Sequence, residues 1–152
     1  MTRLKLEKDI IIKRLNGIEA ELEELKKLGR LSREQFQAGD GWKLAQFHLY
    51  RALEGVFNIG SHILSRIPGA AASQYKEIAQ KLGENKIVPQ DFAGNQLVKM
   101  AKYRNRLVHF YAEVSPKELY LIIQNDLDDF NVYLSAIKQV LTTPAKFNLE
   151  VE

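Results

Sequence analysis

Apolar residues recur along most of this chain at helical spacing. Ile11, Leu15, Ile18, Leu22 and Leu25 follow one another at intervals of 4, 3, 4 and 3. That is a narrow heptad seam, and it predicts a long first helix over residues 3–28. Gly29 follows at a C′ position, and Ser32-Arg33-Glu34-Gln35 reads as a capping box that opens the next helix. Phe36, Leu44, Phe47, Ala52, Val56, Ile59, Ile63 and Ile67 give that second helix an apolar face over 33–66. Gly39 and Gly41 weaken its first turns and admit a break between Ala38 and Gly41.

Prolines punctuate the rest, because a helix interior rejects them. Pro68-Gly69 ends the second helix. Ser73 is placed to cap a short third helix that runs to Leu82 and is closed by Gly83. Pro89 opens a fourth helix as a first-turn residue. The fourth must stop before Ser115-Pro116-Lys117-Glu118, where serine is the N-cap, proline N1 and glutamate N3 of a fifth. Leu119, Ile122, Ile123, Leu127, Phe130, Leu134, Ile137 and Leu141 form its core-facing stripe. The tail after Pro144 is expected to fray or dock loosely. No stretch alternates with the period of a strand. The expected fold is all-α: an antiparallel bundle of about five helices in one domain, its core over about 32–142 and a short tail over 144–152.

Charge and composition narrow the picture. The 152 residues carry 22 Lys and Arg against 19 Asp and Glu, a net charge of +3. Such a mildly basic chain tolerates an anionic partner without requiring one. Cysteine is absent, which excludes disulfides and thiolate metal sites and fits a reducing, cytoplasmic setting. No apolar run approaches the roughly 18 residues that span a bilayer, and the charged N-terminus is no signal peptide. Glu19, Glu21, Glu23 and Glu24 on the first helix are the wrong sign for a membrane-surface face.

Candidate chemistry concentrates in the fourth helix. Its apolar stripe runs Leu97, Met100/Ala101, then Leu107/Val108, and the missing member is Arg104. Arg104 therefore points toward an interface, where its charge needs an anionic partner. Tyr111, seven residues on, shares that face if the helix continues. His109 lies on a neighbouring face with Asn105, close to the helix end, where the dipole favours imidazolium. Lys99, Lys102 and Arg106 form a basic stripe alongside. A plainer account stays open: Arg104 pairs with a carboxylate such as Glu54, Asp126 or Asp129, and His109 is a cap or a packed ring.

Other candidates are weaker. His48 and His62 stand fourteen residues apart on the second helix, far beyond metal-ligand spacing. Asp126, Asp128 and Asp129 read as a solvated helix face before a magnesium site. Trp42 and Phe47 could stack on bases, but packing is the preferred reading. No metal or other cofactor is expected.

The segment Arg104-Asn105-Arg106-Leu107-Val108-His109-Phe110-Tyr111 resembles the signature of HEPN-domain proteins, and more narrowly that of HepT-type toxins. There the pattern is arginine, four residues, histidine, one residue and tyrosine. Similar residues extend over 52–65, Tyr75-Lys76-Glu77, 82–89 and Met100-Ala101, so the resemblance covers about 30–142. The heptad helix before it is usual in one branch of the family.

The resemblance implies a helical homodimer in which the motifs of two subunits face each other across a cleft. It implies a metal-independent endoribonuclease, the toxin of a type VII-like toxin–antitoxin pair, with Arg104 and His109 as catalytic pair and Asn105 in support. Lys99, Lys102 and Arg106 would rim the RNA. A cognate minimal nucleotidyltransferase of the MntA type would neutralise it by AMPylating Tyr111. The residue types suit that work. Imidazole can move protons between the 2′-hydroxyl and the leaving 5′-oxygen, and guanidinium can hold phosphate oxygens. An added AMP would block the cleft by bulk and charge. The alternative is a HEPN module that binds a nucleotide or partner and cleaves nothing.

Overall fold

The computed structural model describes residues 4–109 and 114–152. Its helices run in the order α1 (Lys8–Gly29), α2 (Arg33–Ala38), α3 (Gly41–Leu64), α4 (Tyr75–Glu84), α5 (Gln90–Phe92), a π turn (Ala93–Leu97), α6 (Val98–His109), α7 (Pro116–Asn125) and α8 (Asp128–Thr142). A short 3-10 turn follows at Pro144–Phe147. The all-α expectation holds, and α5, the π turn and α6 run on as one rod over 90–109.

The heptad seam of α1 is buried residue for residue: Ile11, Leu15, Ile18, Leu22 and Leu25 are all at most 4% exposed. It packs on α3 in antiparallel sense, with Glu21 opposite His48 and Glu7 opposite His62. Gly55 makes this approach close, since a Cβ there would lie 2.7 Å from Ile18 Cγ1. On its other sides α3 meets α4, α6 and α7. The Tyr133 hydroxyl of α8, fully buried, donates to the Val56 carbonyl of α3 at 2.6 Å.

The boundaries correct the sequence reading at several points. Helix α1 starts at Lys8, because residues 4–7 are drawn into an extended segment. The capping box at Ser32 and Gln35 forms with both of its bonds. The admitted break is real: Gly39 turns extended, and α3 begins afresh at Gly41. Ser73 does not cap α4; Gln74 precedes it without a side-chain cap bond, and the helix runs past Gly83 to Glu84. Gly83 is a packing residue and not a terminator, because a Cβ there would come within 2.5 Å of Ala93 Cβ. Pro89 occupies the N-cap and not the first turn of α5. The fifth helix of the sequence reading is two, α7 and α8, parted at Asp126-Leu127. Leu44 and Phe47 lie outside the core, at 49% and 52% exposure.

The tail does not fray. Leu149 is buried, and Leu6 and Val151 form a parallel bridge, with Leu6 N–H donating to Glu150 O at 2.8 Å. Among the described residues, no helix is long and apolar enough to cross a membrane.

Candidate functional site

The stripe of the fourth predicted helix continues into Arg104 as its spacing requires. Leu97 and Ala101 are fully buried, Met100 nearly so, and the Arg104 side chain is 17% exposed. It points across to α3, where its Nε donates to Glu54 Oε1 at 2.5 Å. The Tyr75 hydroxyl, at the start of α4, donates to the same carboxylate at 3.0 Å. The guanidinium carbon sits over the Tyr75 ring, 4.1 Å from its centroid, and that ring stacks on Phe57 at 5.0 Å. Three helices thus fix one guanidinium by charge, hydrogen bond and cation–π contact.

Burial works against the Arg104 charge, but the hydrogen bond and charge of Glu54 outweigh it and raise its pKa. Burial, then the bond to Glu54, push the Tyr75 phenol up. Nη1 reaches Asn105 Oδ1 at 3.4 Å, and Nη2 has no hydrogen bond to any described residue. Of the three carboxylates named from sequence as partners, Glu54 is the one used.

His109 is the last residue of α6 and is exposed. It stands five positions after Arg104, about 140° around the helix and about 7.5 Å along it. Asn105, exposed, stands one turn before His109. The hydrogen bonds of Arg104 go to Glu54 and Asn105 and not to His109. Tyr111 lies outside the described residues.

The basic stripe is largely compensated. Arg106 grips Glu118 of α7 with both ends of its guanidinium, at 2.6 and 2.8 Å. The Arg106 hydrogen bond holds the Glu118 carboxyl below its ordinary value. Lys99 lies 5.6 Å from the Tyr103 ring and 3.5 Å from Asp126, and Tyr103, then Asp126, raise its pKa. Lys102 is exposed and makes no ion pair with a described residue.

The residues set aside have structural partners. His48 Nδ1 meets Glu21 at 2.6 Å, and His62 Nε2 accepts the Glu7 backbone N–H at 3.2 Å. Asp126 is held by Lys99, and burial raises the Asp129 carboxyl. Trp42 packs partly buried against the core, whereas Phe47 faces outward with Arg51 5.3 Å over its ring. Tyr75 was legible only as part of a family-like triplet. Its role depends on α4 crossing α3, which spacing within one helix does not encode.

Comparison with known proteins follows the same lines. A curated tRNA nuclease HepT of Aphanizomenon flos-aquae is 27% identical over 139 residues, covering 91% of this chain and 94% of that protein. An mRNA nuclease HepT of Shewanella oneidensis is 26% identical over 133 residues, covering 86% and 97%. Among solved structures, the tri-AMPylated Shewanella oneidensis HEPN toxin in complex with MNT antitoxin superposes with a TM-score of 0.77. It is 24% identical, covering 86% of this chain and 98% of that one. A family model described as ribonuclease HepT-like matches residues 18–137. Spanned for most of its length by that model, the chain belongs to the ribonuclease HepT-like family.

Proposed function

We propose that this chain is an endoribonuclease that cleaves RNA without a metal through Arg104 and His109, as a homodimer in which two motifs face one another. The observation that carries the reading is the posture of Arg104. Its Nε edge is anchored by Glu54 and its face by Tyr75, while Nη2 has no hydrogen bond to a described residue. A guanidinium so held is pre-oriented for a phosphate oxygen and loses little freedom on binding it. His109, exposed at the helix end, is the proton carrier. Each subunit brings one motif histidine, so acid and base come from different subunits. Asn105 supports the pair, and Lys99, Lys102 and Arg106 edge the RNA path.

In the same reading the protein is the toxin of a toxin–antitoxin pair acting in the cytoplasm. A nucleotidyltransferase of the MntA type silences it by attaching AMP to Tyr111. The support is family membership together with the AMPylated, antitoxin-bound Shewanella relative. The two curated relatives are named for tRNA and mRNA, so the substrate class is set here at RNA.

The ion pair between Glu54 and Arg104 also favours a second reading, a module that binds a partner or nucleotide and cleaves nothing. One experiment separates the two. Intact mass first establishes that Tyr111 is unmodified. RNA cleavage is then followed in EDTA for the native chain, His109→Ala and Arg104→Ala. Cleavage by the native chain and loss of about 10²-fold or more in each variant is the expected outcome. RNA left intact by unmodified native protein overturns the ribonuclease reading.

A further inference from the structure

A cavity of about 270 Å³ opens between α1 and α3, and Glu54 forms one wall of it. The same carboxylate holds Arg104 on its other side. The cavity thus shares Glu54 with the candidate site, and neither the basic stripe nor His109 lines it. Arg14, Gly17, Tyr50, Arg51 and Asn58 complete the lining that matters.

Three features of this lining point to a ligand. Arg14 is partly buried and forms no hydrogen bond or ion pair with any described residue. A guanidinium withdrawn from water without a partner is costly, and an anion would relieve that cost. Tyr50 is also partly buried, and its hydroxyl has no hydrogen bond to a described residue. The two carboxylates present do not oppose an anion strongly, because each is already engaged. Glu21 is held by His48 and Arg51, and Glu54 by Arg104 and Tyr75.

The helices are in close contact at Ile18 and Gly55, which also line this cavity, and beside them Gly17 leaves room. A Cβ built at Gly17 meets nothing within 4 Å. The space falls just under the roughly 300 Å³ at which small-molecule sites begin, which is the scale of one nucleotide unit.

We infer that this groove is a substrate subsite that seats one nucleotide of single-stranded RNA next to the scissile phosphate. Arg14 takes the phosphate and the Tyr50 ring supplies a face for the base. Asn58, exposed at the mouth, offers an amide to the base edge. The inference rests on the ribonuclease reading and extends it away from the motif.

The test measures binding apart from cleavage. A fluorescein-labelled ten-nucleotide 2′-O-methyl RNA lacks the attacking hydroxyl, so its anisotropy reports affinity alone. It is titrated with the native chain, Arg14→Ala, Gly17→Leu and, as a control, Lys138→Ala on α8, whose partner is Glu19 of α1. Gly17→Leu extends into the groove from an exposed helical position where an added Cβ meets nothing within 4 Å, and thermal melting verifies that the variant is folded.

Arg14→Ala and Gly17→Leu should each weaken binding about tenfold or more, and Lys138→Ala should change it less than twofold. Arg14→Ala should also flatten the salt dependence by about 0.7 in log–log slope, the loss of one phosphate contact on a single strand. Native-like affinity in both groove variants overturns the subsite, as does a native chain that does not bind the oligonucleotide. So does AMP that binds in the groove while RNA affinity is unchanged in both variants. If both variants lose affinity but unmodified RNA is never cut, the subsite stands and the ribonuclease reading falls. If cleavage dependent on His109 persists in both with KM unaltered, the reverse holds.

Discussion

Glu54 accepts the Arg104 Nε at 2.5 Å and the Tyr75 hydroxyl at 3.0 Å, so one carboxylate of α3 ties the motif helix to α4. Arg104 is therefore placed by two helices that carry no motif residue. A phosphate approaching Arg104 meets a guanidinium whose charge is half satisfied and whose orientation is fixed. Holding it this way exchanges some raw attraction for geometry.

Glu54→Gln tests that exchange. The amide keeps the shape and one acceptor but loses the charge. The variant should lose about 1–2 kcal/mol of stability in urea denaturation, a charged hydrogen bond reduced to a neutral one in a partly exposed place. RNA cleavage should fall about tenfold or more in kcat with KM little changed, since Arg104 is present but misplaced. Unchanged kcat with lowered stability would make Glu54 a packing partner only.

Glu118 gives a prediction in pH. It is gripped by Arg106, whose bond depresses its folded pKa below the ordinary 4.5. Its stabilising effect is present above that unfolded value and is lost as pH falls through the depressed folded one. The stability gap between the native chain and Glu118→Gln should be level above about pH 5 and shrink below it. Both side chains are about a third exposed, so the gap should be about 1 kcal/mol or less. A gap that widens in acid would contradict the ion pair.

His62 works with the opposite kind of group. Burial, then Arg66, lower its pKa, and its Nε2 must stay unprotonated to accept from Glu7 N–H. The unfolded chain takes up the proton first, so stability should fall as pH drops from about 6.5 toward the lowered folded value. His62→Gln should remove that slope from melting temperatures taken between pH 5 and 8. A slope that persists unaltered would assign it to other groups.

Gly83→Ala would set a methyl group 2.5 Å from Ala93 Cβ, and neither atom is the end of a flexible chain. Helix α4 must move off the π turn, at a cost of about 1–3 kcal/mol. Because Tyr75 rides on α4, RNA cleavage should fall along with the melting temperature. Full activity at an unchanged melting temperature would show the contact to be slack.

The seam of α1, the capping box at Ser32 and the stripe ending in Arg104 were all legible, because each is a periodicity or cap internal to one helix. The Ser115 cap likewise forms, its side chain accepting from Glu118 N–H. What escaped was set between segments. Residues 4–7 look helical by composition, but pairing of Leu6 with Val151 and Glu7 N–H with His62 draws them out straight. The Asp126-Leu127 break interrupts a stripe whose apolar spacing continues across it unbroken. Phe47 satisfies the helical period yet is half exposed, with Arg51 over its ring in place of a core neighbour. Arg106 and Lys99 read as a free basic stripe, but Glu118 and Asp126 reach them from sequence positions that spacing along α6 cannot reveal.

The π turn at Ala93–Leu97 carries one residue more than an α-helical turn would hold. Everything after it is rotated by about 100° relative to an uninterrupted helix from Gln90. Arg104 faces Glu54 only in that rotated frame. The motif's internal spacing is thus silent about its aim, which is set some ten residues upstream. Two chains with identical arginine and histidine spacing but a different count through this turn would point their arginines at different neighbours. Deleting one residue between Ala93 and Leu97 would leave the motif intact to the eye and turn it away from its own site.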